Sequence, residues 1–174
     1  GEAHSILEFT DRAFVINGFS KLYAMTGWRL GYLIAPKEFI RPMQKIQQNL
    51  FISASSFSQW GALAGLKEAR HDIERMRQTY DRRRRFLIPR LKGLGFGITV
   101  EPTGAFYVLA NAKKFSQDSY SLAFDILVKA KLGVAPGIDF GSNAEGYLRF
   151  CYANSMENIE EGMNRLERYL EQYR

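Results

Sequence analysis

Lys21 and Arg29 stand eight residues apart in the stretch Asn17-Gly18-Phe19-Ser20-Lys21-Leu22-Tyr23-Ala24-Met25-Thr26-Gly27-Trp28-Arg29-Leu30-Gly31-Tyr32. A lysine that does covalent chemistry must be held at a strand end and shielded, so that its amine gives up a proton more readily than a surface lysine does. The apolar run Ala13-Phe14-Val15-Ile16, passing into Asn17-Gly18, reads as a buried strand running into a loop, which puts Lys21 at such an exit. Arg29 offers a planar, permanently charged fork suited to phosphate, and Gly27 and Gly31 leave room for close approach. An amine paired with a phosphate clamp fits an aldehyde cofactor that carries a phosphate.

The elements that must hold this stretch follow from periodicity. A second strand is expected over Arg29 to Ala35, stopped by Pro36. From Pro36, a favourable helix start, Phe39, Ile40, Met43, Ile46, Gln47 and Leu50 recur at helical spacing until Ser53 to Ser58 breaks the pattern. A long helix then runs through Leu63, Leu66, Ala69, Ile73, Met76, Tyr80, Leu87 and Leu91, with Pro89 expected to kink or divide it. Beyond Gly93, Gly95 and Gly97, strands are expected over Phe96 to Glu101 and Ala105 to Ala110. A helix is expected over Tyr120 to Lys131, with Gly133 ending it, and a loop begins at Val134 to Gly137. A strand is expected over Tyr147 to Tyr152, followed by a helix capped by Ser155 with an apolar stripe of Met156, Ile159, Met163, Leu166 and Leu170. The order strand, strand, helix, strand, helix from Phe96 onward is an α+β layer.

Composition narrows the function classes. With 46% hydrophobic and 24% charged residues in 174, the chain can build a packed core. The net charge of +6 draws acidic groups without marking a nucleic-acid binder. Arg82 to Arg85 wraps around its helix instead of lining one face, and Asp81 is placed to pair with Arg85, so the run reads as a solvated helix. The single cysteine, Cys151, forbids an intrachain disulfide and a zinc site built on cysteine pairs, and fits a reducing, cytoplasmic setting. His4 and His71 lie far apart without carboxylates at ligand spacing, so no metal site is expected. No apolar run approaches the roughly 18 residues of a membrane span, and Gly1 to His4 lack a basic segment followed by an apolar one, although the start at Gly1 leaves a removed segment or domain open.

The chain resembles the class I and II aminotransferases, which depend on pyridoxal phosphate. Their signature places a small residue, an apolar residue and a small residue before a lysine, with arginine eight positions on followed by an apolar residue and glycine. Gly18-Phe19-Ser20-Lys21 and Arg29-Leu30-Gly31 fit it throughout. Glu101 to Tyr107 is similar to the approach to a small-domain strand of that family, Val134 to Gly141 to the loop before its last strand, and Tyr147 to Ala153 to the strand whose arginine grips the substrate carboxylate. The resemblance implies that Lys21 forms the internal aldimine and then moves the proton at the substrate Cα. It implies that Arg29 anchors the phosphate and that Arg149 binds the α-carboxylate. Gly18 stands where many relatives have Ser or Thr as a further phosphate contact, and Ser20 is the weaker candidate to replace it.

The fold so implied is α/β and α+β: part of a large-domain sheet, the lysine hairpin, joined by a long helix to an α+β small carboxy-terminal domain. The expected divisions are 1–52 for the cofactor-binding remnant, 53–92 for the connecting helix and 93–174 for the small domain. The family's helix-terminal phosphate cradle, its ring-stacking aromatic residue and its pyridine-nitrogen aspartate are not recognisable. The chain therefore reads as a carboxy-terminal fragment, inactive alone, whose two remnant strands have open edges. The function expected of the intact protein is amino-group transfer between an amino acid and a 2-oxo acid. A homodimer is implied, with Ser53 to Ser58 near the partner's site, and neither nucleic acid nor membrane is a partner. β-Elimination, decarboxylation or synthase chemistry on the same cofactor, or a non-enzymatic basic binding or dimerisation module, are the alternative readings.

Overall fold

The two apolar runs that flank the lysine loop pair with each other. In the computed structural model, which describes residues 4–173, β1 (Val15–Gly18) and β2 (Gly31–Ile34) form an antiparallel ladder from Val15 opposite Ile34 to Gly18 opposite Gly31. The second strand is shorter than Arg29 to Ala35 because Arg29 has a φ of 51°, a left-handed conformation that a strand cannot accommodate. The ladder closes tightly: a Cβ at Gly31 would stand 2.9 Å from the Asn17 carbonyl oxygen, so this position requires glycine.

The chain divides into two compact units, Gly1–Arg75 and Met76–Arg174; residues 1–3 and 174, at the outer ends of the expected domains, lie outside the described residues. Besides the hairpin, the first unit contains α1 (Lys37–Leu50), which starts after Pro36 as its spacing predicts, and α2 (Ser56–Glu68). No residue of α1 is buried, and Ile46 and Leu50 of its apolar stripe are 59% and 68% exposed. The helix expected to run unbroken from Leu63 is two helices, α2 and α3 (Arg70–Gly93), parted at Ala69, whose ψ of 7° leaves the helical range. Pro89 does not divide α3. Its ring removes one backbone donor, but Leu87, Ile88 and Leu91 around it are buried, and burial of about 1.5–3 kcal/mol per large apolar side chain outweighs one lost hydrogen bond. Asp81 receives Arg84 and Arg85, both at 2.9 Å, so the expected pairing with Arg85 is present; Arg82 and Arg85 are solvated as expected, whereas Arg83 and Arg84 are half-buried, with Arg83 lying over the Tyr80 ring.

The second unit is a three-stranded antiparallel sheet in the order β3-β5-β4, formed by β3 (Tyr107–Asn111), β4 (Ala135–Pro136) and β5 (Tyr147–Cys151), with α4 (Ser119–Ala130) and α5 (Met156–Leu170). The segment Phe96 to Glu101 is not a strand; it contributes a single bridge, Gly97 to Asn111. Val134 to Gly137, expected as loop, contains the two-residue β4. Alternation along the ladder decides the faces. Val108 opposite Phe150 and Ala110 opposite Leu148 enter a core shared with Leu91, Leu122, Ile126, Ile159, Met163 and Leu166. Leu109 opposite Arg149, and Arg149 opposite Ala135, occupy the other face.

Three local devices fix this unit. Asp118 caps α4 by accepting from the Ser121 amide at 2.9 Å, and Ser155 caps α5 by accepting from the Asn158 amide at 3.2 Å. Glu145 accepts the Ser119 amide at 2.6 Å and the Gly146 amide at 3.0 Å, and Ser119, fully buried, accepts the Ile138 amide at 3.2 Å. Tyr152, also fully buried, donates its hydroxyl to the Ala105 carbonyl at 3.1 Å and its amide to the Phe106 carbonyl at 3.0 Å, holding Ala105 at a left-handed φ of 57°.

The hydrogen bonds from Ser119 and Gly146 hold the Glu145 carboxyl below its ordinary value, and those from Ser121 do the same for Asp118. A carboxylate whose folded-state pKa is depressed contributes stability that is complete above its unfolded-state value, about 4, and is lost as pH falls through the folded-state value. Urea denaturation of the protein is therefore expected to show declining stability below about pH 4, and Glu145→Gln should flatten that acid limb. An unchanged limb would remove Glu145 from this role.

Candidate active site

The loop between β1 and β2 is built around one buried side chain. Phe19 is enclosed with Met25 and Ala62, and Tyr23 and Leu30 pack against them. The Phe19 amide donates to the Leu30 carbonyl at 3.3 Å and the Met25 amide donates back to the Phe19 carbonyl at 3.3 Å, so the chain doubles around this ring. Lys21 stands in the turn that results, with its carbonyl accepting the Ala24 amide at 3.1 Å. Ala24 and Arg29 both adopt left-handed φ values, 54° and 51°, a conformation that costs a non-glycine residue about 1–2 kcal/mol. The Arg29 side chain turns back to donate from Nη1 to the Thr26 carbonyl at 2.9 Å.

Helix α2 supplies the floor. Ser58, 2% exposed, donates its hydroxyl to the Trp28 carbonyl at 2.9 Å, one residue before Arg29. A Cβ at Gly61 would collide with the Trp28 ring, and one at Gly65 would stand 3.2 Å from the Tyr23 ring, so these two glycines let the loop lie directly on the helix. Ser20 is half-buried, and Lys21 and Arg29 are exposed. The shielding that the sequence argument asks for at Lys21 is thus not provided by the described residues of this unit. The three side chains belong to one loop. Arg149 belongs to the second unit.

Arg149 sits mid-strand on β5, on the open face of its sheet. Its Cζ lies 4.3 Å from the centroid of the Tyr107 ring and 4.3 Å from that of Phe140. Its Nε is buried without a hydrogen-bond partner among the described residues. A guanidinium carries five N–H donors in one plane and is suited to a bidentate carboxylate. The chemistry on offer is therefore a primary amine with a hydroxyl and a guanidinium in one loop, and in the second unit a guanidinium held without an acidic partner among the described residues.

A profile of the family described as aminotransferase class I and II matches residues 2–166, and the chain belongs to that family. Among its relatives, it is 43% identical over 174 residues to the (5-formylfuran-3-yl)methyl phosphate transaminase of Methanocaldococcus jannaschii, covering 98% of this chain and 46% of that protein. It is 41% identical over 162 residues to an aspartate aminotransferase of Pyrococcus abyssi, covering 92% of this chain and 41% of the relative. A crystal structure from Methanococcus jannaschii, described as similar in its active site to kynurenine aminotransferases, superposes with a TM-score of 0.91 at 42% identity, over 98% of this chain and 46% of its own. The chain spans less than half the length of these relatives.

The family depends on pyridoxal phosphate, and the donor set of the lysine loop fits two ends of that molecule: an amine for the aldehyde, and the Arg29 guanidinium with the Ser20 hydroxyl for the phosphate. Two neighbours of Arg149, Tyr107 and Phe140, escape the sequence argument as site residues. Tyr107 is displaced from Arg149 by two positions along the ladder, and only the observed register, with Tyr107 opposite Cys151, brings its ring there. Ser58 escapes it as well, because nothing in sequence ties α2 to a carbonyl 30 residues earlier.

Replacing Ser58 with alanine leaves the Trp28 carbonyl without its buried donor. Ser58→Ala is expected to cost about 1–3 kcal/mol in urea denaturation, and Ser58→Thr, which keeps the hydroxyl, to cost less. Equal losses in the two would assign the effect to packing.

Proposed function

We propose that this chain carries the lysine loop and the carboxylate-binding strand of a pyridoxal-phosphate-dependent aminotransferase that moves an amino group between an amino acid and a 2-oxo acid. The observation that carries the reading is the amine and guanidinium of Lys21 and Arg29 in one loop, folded against α2 in a chain that belongs to this family. Pyridoxal phosphate, when bound, supplies the electron sink that makes a proton at the substrate Cα removable.

The chain's own residues then divide the work. Lys21 holds the cofactor at its aldehyde end and, once its amine is released, takes and returns the proton at the substrate Cα through Nζ. Arg29 and Ser20 hold the phosphate by charge-assisted and neutral hydrogen bonds. Arg149 receives the α-carboxylate in the plane of its guanidinium, which orients the substrate. The left-handed backbone at Arg29 and its bond to Thr26 fix where that side chain leaves the loop, so phosphate binding does not have to order it.

Shielding of Lys21 belongs in this reading to parts of the protein beyond the present residues, which span 46% of the first relative. The same reading takes the enzyme as a homodimer, as the family resemblance implies. It also takes it as cytoplasmic, because a single cysteine fits a reducing compartment. Among the described residues no helix is long and apolar enough to cross a membrane.

Borohydride reduction of the full-length protein with pyridoxal phosphate, followed by peptide mass spectrometry, is expected to place a pyridoxyl group on Lys21. Lys21→Ala should lower turnover by at least about a thousandfold, and Arg149→Lys should raise KM for the amino donor by roughly ten- to a hundredfold. A label on another lysine, or unimpaired turnover by Lys21→Ala, would falsify this assignment.

A further inference from the structure

We propose that Tyr107 and Phe140 are positioning residues that clamp the Arg149 guanidinium edge-on to its ligand and so set the protein's affinity for a planar carboxylate. The inference rests on the reading of Arg149 as the carboxylate anchor and adds the means by which it is held.

Three observations carry it. Both rings stand 4.3 Å from Arg149 Cζ, within the distance at which a cation is held by an aromatic face. Arg149 makes no hydrogen bond or ion pair among the described residues, and its Nε is buried, so the rings do for this cation what a carboxylate ordinarily does. Each ring is also anchored independently of the arginine. Tyr107 begins β3, laddered to β5 through Cys151. Phe140 ends the 3-10 turn Gly137–Phe140, and Ile138 in that turn donates its amide to the buried Ser119. A Cβ at Gly137 would stand 2.7 Å from the Tyr147 carbonyl oxygen, so the turn lies directly against β5.

Rings on a guanidinium engage its π faces and leave its in-plane N–H groups to the ligand. They also displace water from the cation, which strengthens its attraction for an anion arriving in that plane. Because the rings are set before the ligand arrives, less side-chain freedom is lost on binding. Asp139, adjacent to Phe140, makes no ion pair with Arg149, so the positive charge is not cancelled by its neighbour among the described residues.

The test uses the full-length protein with pyridoxal phosphate, an amino donor and propionate as a competing monocarboxylate. Phe140→Leu and Tyr107→Leu are each expected to raise KM for the donor and Ki for propionate about tenfold, the equivalent of about 1.4 kcal/mol, and to leave kcat within about twofold. Phe140→Tyr and Tyr107→Phe, which keep a ring, should restore both constants. Phe140 is 49% exposed, so its pair of variants decides the matter if Tyr107→Leu does not fold. Unchanged KM and Ki in the leucine variants, or a fall in kcat with Ki unchanged, overturns the clamp alone. A wild-type protein that transaminates no amino acid overturns the proposed function and the clamp with it.

Discussion

An arginine side chain partly withdrawn from water without a counter-charge among the described residues is the constraint around which the second unit is arranged. Desolvation of a guanidinium is unfavourable, and a buried Nε without a partner adds to that. The fold meets the cost with two aromatic faces at 4.3 Å instead of with a carboxylate. This solution demands precision from the scaffold. The rings must arrive from two different elements, and the apolar face of the sheet must be packed well enough to keep β3 and β5 in register. The fully buried Val108, Ala110 and Leu148, locked against α4 and α5, do this.

The first unit solves a different problem with fewer resources. Its buried cluster is Phe19, Met25 and Ala62, and its long apolar side chains on α1 and α2, such as Leu50 and Trp60, remain largely exposed. What the unit fixes is the path of one loop. The hydroxyl of Ser58 and the bare Cα positions of Gly61 and Gly65 bring the loop onto α2, and two left-handed residues shape it. Hydrogen bonds within the loop and from Ser58, together with the buried Phe19 ring, hold Lys21 and Arg29 where they stand.

Much of this was legible in the sequence, and the exceptions have physical causes. The starts of α1 and α5 follow from Pro36 and Ser155, whose effects are local and depend on neighbours within a turn. The lysine loop is marked by residue type and spacing, whereas Arg149 is singled out only by the resemblance of Tyr147 to Ala153 to a strand of the family. By contrast, Phe96 to Glu101 has strand-like composition but pairs with Asn111 through Gly97 alone, because pairing depends on a partner edge distant in sequence. Pro89, expected to kink or divide the helix, does not divide α3, because tertiary burial of Leu87, Ile88 and Leu91 overrides a local penalty. Tyr107 and Phe140 were invisible as neighbours of Arg149 for the same reason: register and turn placement are properties of the assembled sheet.

The left-handed backbone at Ala105 limits how this region can change over time. A β-branched residue there would force its side chain against the peptide, whereas glycine or asparagine tolerates that geometry. The two hydrogen bonds from Tyr152 keep the kink in place whichever small residue occupies the position. Sequence drift at residue 105 is thereby confined to a narrow alphabet, although Ala105 itself belongs neither to the core nor to the ring pair beside Arg149.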